Sequence, residues 1–182
     1  MNVLKIIGVV GSPNENGNTA TIVKEILQSA EGEGADVSLN VLGKISINPC
    51  TACLGCEKTG YCIQDDDMSG LYTELVGADV LVLGSPIYFD HVTSQTKMFI
   101  DRLYPNCFQS NISIKKAVVI LTYEWDDPEV YDSVIDWIKG RLQTYHKMET
   151  VAVMKAYDTI ENPVSNQKIV LEEAREVGKG LV

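Results

Sequence analysis

Apolar runs alternating with segments of helical period constrain this chain more than any other feature. Val3 to Val10 (VLKIIGVV) is almost wholly apolar, as a strand buried on both faces must be. From Asn18 to Ala30 the apolar residues fall at Ile22, Val23, Ile26 and Leu27, a helical stripe. Ala35 to Leu42 alternates in character and reads as an edge strand. Ala78 to Ser85, Ala117 to Thr122 and Met148 to Met154 read as a third, fourth and fifth strand. Between them, helices are expected around Leu71, Leu75 and Val76, and over Thr93 to Leu103 with Val92, Met98, Phe99 and Leu103 inward. Another is expected from Asp127-Pro128-Glu129, with Asp as N-cap and Pro in the first turn, and a last one from Pro163 toward Val182.

Strands that alternate with helices pair in parallel, because each crossover returns the chain to the same end of the sheet. The expectation is an α/β, flavodoxin-like, doubly wound parallel sheet of five strands, order 2-1-3-4-5, with helices on both faces. The chain has 182 residues, enough for one domain spanning 1–182. One long irregular stretch, Gly43 to Asp65, stands out as a cysteine-rich insertion loop. No apolar run approaches the roughly 20 residues a bilayer requires. The chain opens Met1-Asn2-Val3 without a basic-then-apolar leader, so a cytoplasmic location is expected. A formal charge of −10 and a pI near 4.6 repel phosphate backbones and argue against a nucleic-acid partner.

Four of the five cysteines crowd into thirteen residues, Cys50, Cys53, Cys56 and Cys62, with gaps of two, two and five. Soft thiolates so spaced can wrap one small metal assembly, and a [4Fe–4S] cluster is the first reading. Zinc ligand pairs usually sit on separate turns a dozen or more residues apart, disulfides belong to oxidising compartments, and free reduced thiols need no partner at all. These alternatives stay open. Cys107 stands apart and reads as a half-buried free thiol. Asp65, Asp66 and Asp67 precede a helix, where carboxylates accept from the unpaired amides and oppose the macrodipole.

Two loops carry the remaining chemistry. Gly11-Ser-Pro-Asn-Glu-Asn-Gly-Asn-Thr19 joins the first strand to the first helix, where hydroxyls and free N–H groups can cradle a phosphate. It is not a Walker A loop, because five residues separate its glycines and Asn18 stands in the lysine position. Gly8-Val-Val-Gly11 likewise lacks dinucleotide spacing. The loop therefore suits a metal-free monophosphate ester such as flavin mononucleotide, with an ordinary polar turn as the alternative. Gly84-Ser-Pro-Ile-Tyr-Phe-Asp90 leaves the third strand at the same crevice and offers aromatic surface beside backbone amides.

Together, Gly11-Ser-Pro with Asn18-Thr19, Gly84-Ser-Pro-Ile-Tyr88 and Lys97-Met-Phe-Ile-Asp-Arg102 resemble the NADPH-dependent FMN reductase-like branch of the flavodoxin superfamily. With the cysteines added, the chain resembles the iron–sulfur flavoproteins. The resemblance implies that Ser12, Asn14, Asn18 and Thr19 hold the FMN phosphate. It implies that Pro86, Ile87, Tyr88 and Phe89 hold the ring, joined by Thr122, Tyr123 and Glu124. It also implies that Cys50, Cys53, Cys56 and Cys62 ligate a [4Fe–4S] cluster, and that the chain is a homodimer or homotetramer. Two positions depart from the family: many relatives carry Arg where Asn14 stands, and many carry Gly within the stretch that here reads Asp90-His91-Val92.

The function expected is electron transfer by a flavin-dependent oxidoreductase, with NAD(P)H or a small redox protein as donor. A cluster-free NAD(P)H-dependent FMN or quinone reductase and a redox- or metal-sensing FMN module are the alternatives. No catalytic acid or base is assigned. His91 reads as a solvated loop residue, His146 as a surface residue, and Asp101 with Arg102 as a structural ion pair.

Overall fold

The structure, a computed structural model, describes residues 3–107 and 111–182. Its centre is a parallel ladder of β1 (Lys5–Val10) and β3 (Val80–Tyr88). On one side β1 pairs with β2 (Asp36–Val41), the half-exposed edge. On the other, β3 pairs with β5 (Lys116–Thr122), which pairs with β6 (Glu149–Ala156).

Alternate side chains of the central strands feed two separate cores, as the pleat dictates. Ile6, Val10, Val80, Val82, Val118 and Ile120 face α1 (Asn18–Gly32) and α6 (Lys168–Leu181). Ile7, Val9, Leu81, Leu83, Val119 and Leu121 face α3 (Met68–Gly77), α4 (Ser94–Arg102) and α5 (Asp132–His146). Gly178 lets α6 lie against α1, since a Cβ there would strike the Ile26 carbonyl. No helix among the described residues is long and apolar enough to cross a membrane.

The sheet has six strands, not the five expected, in the order β2-β1-β3-β5-β6 with the extra strand off that path. That strand, β4 (His91–Val92), is a two-residue antiparallel return onto Ile87 and Tyr88. It is too short to show as an apolar run. β3 is also longer than expected. It continues through Gly84-Ser-Pro-Ile-Tyr88, where a loop was expected, because β5 keeps pairing as far as Pro86↔Thr122. Pro86 lies past the last β1 pair, Val10↔Gly84, where the central ladder has ended.

Two helix starts differ as well. Asp127 accepts from the Glu129 amide at 2.8 Å and closes a turn, while α5 begins only at Asp132. Pro163 precedes a 3-10 turn, Val164–Asn166, before α6 begins at Lys168.

Candidate functional site

At the carboxyl ends of β1, β3 and β5, buried hydroxyls tie the chain together. The Gly11 amide donates to the Gly84 carbonyl at 2.7 Å, and the Thr93 hydroxyl donates to the Gly11 carbonyl at 2.7 Å. Thr93 and Thr96 share a hydrogen bond of 2.8 Å, and Thr96 donates to Ser85 at 3.0 Å. Any Cβ on Gly11 would fall on Thr96 Oγ1, which explains the glycine.

Beyond Gly11 the chain turns into α1. Ser12 is buried and its Oγ accepts from the Asn14 amide at 3.1 Å. The α1 N-cap, Gly17, gives no side-chain cap, and the first turn holds no acidic residue. Thr21 N–H makes the first return bond to the Gly17 carbonyl, so the amides of Asn18, Thr19 and Ala20 lie ahead of the helical ladder. Across the gap, the Thr19 and Thr122 hydroxyls meet at 2.6 Å.

The far wall is the β3–β4 hairpin. Phe89 and Asp90 turn it with φ of 48° and 61°, both left-handed as a two-residue turn of this kind requires. Aspartate tolerates that region better than most residues, which accounts for Asp90 at this turn. Asp90 Oδ1 accepts from the Tyr131 hydroxyl at 2.9 Å, and His91 packs edge-on against Trp137 at 4.8 Å. The hairpin is thus anchored to α5, with Phe89 fully exposed at its tip. His91, though exposed, does not line the cleft and packs on Trp137 instead.

These walls enclose a cleft of about 450 Å3. It brings together Ser12, Asn14, Asn18 and Thr19 from the first loop, and Pro86, Ile87, Tyr88 and Phe89 from the hairpin. Thr122, Tyr123 and Glu124 join from the end of β5. Two residues escaped sequence reasoning: Thr159 and Ile160, from the loop after β6. No motif marks them; Asn18 reaches them only in the folded chain. Its side-chain amide donates to the Thr159 carbonyl at 3.3 Å, and its Oδ1 accepts from the Val164 amide at 2.9 Å. That side chain therefore straps the β6–α6 loop. Tyr123 donates to the Pro128 carbonyl at 3.0 Å, and burial, with Asp132 and Asp127 nearby, pushes its phenol up to about 12.

The cysteines lie at a second cavity, also of about 450 Å3. Cys50, Cys53, Cys56 and Cys62 all line it, facing α4, a 3-10 turn over Tyr104–Cys107, and the end of α5. Ala52 and Leu54, flanking Cys53, are left-handed at φ of 52° and 56°. A single helical turn, α2 (Cys56–Thr59), then closes on left-handed Gly60. Cys50 and Cys53 are exposed and Cys56 is buried. Burial raises the Cys56 thiol, and negative charge on Cys62, Cys50 and Cys53 would raise it further. Cys53 moves the other way, lowered chiefly by the Gly55 amide. Among the described residues, no three His, Cys, Asp or Glu side chains are arranged to hold a metal ion.

Three expectations around this cavity need correction, and a fourth is extended. Asp101 and Arg102 are not partners. Asp101 pairs with Lys97 on the surface at 2.7 Å, whereas Arg102, 1% exposed, is gripped by Asp66 at 2.6 and 3.0 Å. The aspartate run accordingly does more than start a helix. Asp66 accepts from the Met68 amide at the head of α3 and from the Asn48 amide of the cysteine segment, at 3.1 and 2.9 Å. Asp67 accepts from the Ser46 amide at 2.6 Å. Burial works to raise the Asp66 carboxyl, but Arg102 and the Asn48 and Met68 amides outweigh it and hold the group below the usual range. His146 is buried, at 8% exposure, with Nδ1 3.3 Å from Asn106 Nδ2. Burial pushes its ring down to about 4. Cys107 is exposed, not half-buried, and opens onto the same cavity as the other four.

Comparison with known proteins decides the lineage. The family described as NADPH-dependent FMN reductase matches residues 4–127, from β1 through the segment after β5. The chain belongs to that family. Among its relatives, an iron–sulfur flavoprotein of Methanocaldococcus jannaschii is 38% identical over 102 residues, 56% of this chain and 53% of that protein. An iron–sulfur flavoprotein of Archaeoglobus fulgidus is 34% identical over 120 residues, 66% of this chain and 54% of that protein. The matched stretch thus spans about half the length of these relatives. Among solved structures, an NAD(P)H:quinone oxidoreductase from Methanothermobacter marburgensis superposes with a TM-score of 0.78 at 15% identity, covering 100% of each chain. That likeness establishes the flavodoxin-like fold.

Proposed function

We propose that this chain is a flavin-dependent oxidoreductase that binds FMN in the cleft between the β1, β3 and β5 ends. The observation that carries this reading is the convergence of the first loop and the β3–β4 hairpin on one cavity. The residues suit FMN. An uncapped helix start flanked by buried Ser12 and Thr19 offers amides and hydroxyls to a phosphate dianion. Tyr88 and Phe89 offer flat surface to the ring, and the Thr19–Thr122 bond holds the two walls in register.

The four cysteines extend this to electron transfer with a [4Fe–4S] cluster. Their donor set fits, since four soft thiols share one cavity. Among the described residues no three are arranged to ligate, so a cluster's own bonds would have to draw the thiols together. When bound, FMN would exchange electrons singly or in pairs and a cluster singly, joining a two-electron donor such as NAD(P)H to a one-electron partner. The chain's own part is to bind and orient. The hydroxyl network fixes the phosphate loop, the hairpin sets the ring's face, and the Asp66–Arg102 clamp fixes the cysteine segment.

A cluster-free NAD(P)H-dependent quinone reductase is the second reading, favoured by the absence of a preformed metal grip among the described residues. Anaerobic purification with FMN, iron and sulfide analysis decides between them. A brown protein with about four irons per chain supports the cluster. A yellow, iron-free protein that oxidises NADPH supports the alternative, and protein that never retains FMN overturns both. We propose a homodimer or homotetramer in a cytoplasmic setting, to be checked by light scattering.

A further inference from the structure

Arg102 is the most deeply buried charge near the cysteines, at 1% exposure, and its bonds are unequal. Nη1 donates to Asp66 Oδ2 at 2.6 Å and to the Asn48 carbonyl at 2.8 Å, and Nη2 donates to Asp66 Oδ1 at 3.0 Å. Nε is buried without an acceptor in hydrogen-bonding geometry among the described residues. A buried N–H left so costs stability unless something accepts from it. Arg102 and Cys62 line the same cavity, and Cys62 is near enough to act on the guanidinium charge.

We propose that Arg102 is a positioning residue for the cysteine-held group: fixed by Asp66 and Asn48, it directs Nε–H and its positive charge at the Cys62 side of the cavity and so raises the group's reduction potential. The inference rests on the cluster reading above. The physical reason is simple. Reduction adds negative charge to a group ringed by thiolates, and a fixed cation with an N–H aimed at a ligand sulfur stabilises that reduced form. Lys97, on the same helix but exposed and paired with Asp101, cannot do this, because water screens it.

The test uses the full chain loaded anaerobically with iron, sulfide and FMN, comparing wild type, Arg102→Gln, Lys97→Gln and the double variant Asp66→Asn/Arg102→Met. The double variant removes the pair without leaving an unpartnered buried charge, so it keeps the test alive if Arg102→Gln fails to fold. Iron content and redox-titrated midpoint potential are read for each. The expected result is a tenfold or greater fall in the equilibrium constant for one-electron reduction, about 59 mV, in Arg102→Gln, and a smaller fall in the double variant, which also removes the Asp66 charge. Iron per chain should be retained, and Lys97→Gln should match wild type. An unchanged potential at full iron occupancy, with only a lower melting temperature, would make Arg102 merely structural and overturn the proposal. Iron-free wild type would sink the cluster reading itself and this inference with it, an outcome separable by the iron assay alone.

Discussion

The two cavities are of equal size and opposite construction. The cleft at the strand ends is built on central strands, with three loops tied by buried hydroxyls, so its shape is fixed before any ligand arrives. The cysteine cavity has one wall of irregular chain, pinned to α4 by a single buried ion pair and a few aspartate–amide bonds. A rigid cradle suits a ligand held by many weak contacts, whereas a loosely held thiol loop suits a group whose own bonds supply the order.

The sharpest way to break this contrast is Cys53→Ser. It should abolish iron binding while leaving FMN bound, and loss of both together in iron and flavin assays would show that the sites are not separable. Next, Gly11→Ala forces a methyl group onto Thr96 Oγ1 and should destabilise the protein by roughly 2–3 kcal/mol. That corresponds to a melting-temperature drop of about 4–12 °C, with FMN affinity falling in parallel. Thr19→Val removes the hydroxyl bonded to Thr122 and should cost about 1–2 kcal/mol in denaturant unfolding, with weaker FMN retention. Phe89→Gly relieves a left-handed conformation and should stabilise the fold by roughly 0.5–1 kcal/mol while weakening flavin binding.

Acid acts on the cysteine side. His146 has a folded pKa of about 4, below its ordinary value of 6.5. Below 6.5 the unfolded chain takes up a proton that the folded chain refuses, so the stability present above that pH is lost as pH falls toward 4. Asp66, held below the usual carboxylate range, adds its own loss at still lower pH. Urea midpoints between pH 7 and 4.5 should therefore fall less in His146→Phe than in wild type.

Much of the cleft was legible because its residues end strands or follow them directly. Once β1 and β3 are adjacent, Ser12 and Tyr88 have nowhere else to lie. The hairpin was not legible, since β4 is two residues long and its turn residues, Phe89 and Asp90, are not the Asn-Gly that announces such a turn. Thr159 and Ile160 were missed because a loop without glycine or a charge motif carries no sign of what it will cover. Arg102 was assigned the neighbour beside it in sequence, Asp101, although residues adjacent on a helix point to different faces.

By itself the sequence determined the layered α/β plan, the hydroxyl- and glycine-bearing loop after β1 and the four-thiol donor set, because these follow from periodicity and local spacing. Only the tertiary structure decided which aspartate meets Arg102, that His146 is buried, and that Asn18 straps the loop after β6. Those outcomes depend on contacts between residues 36 to 146 positions apart, which chain closure sets and local pattern does not.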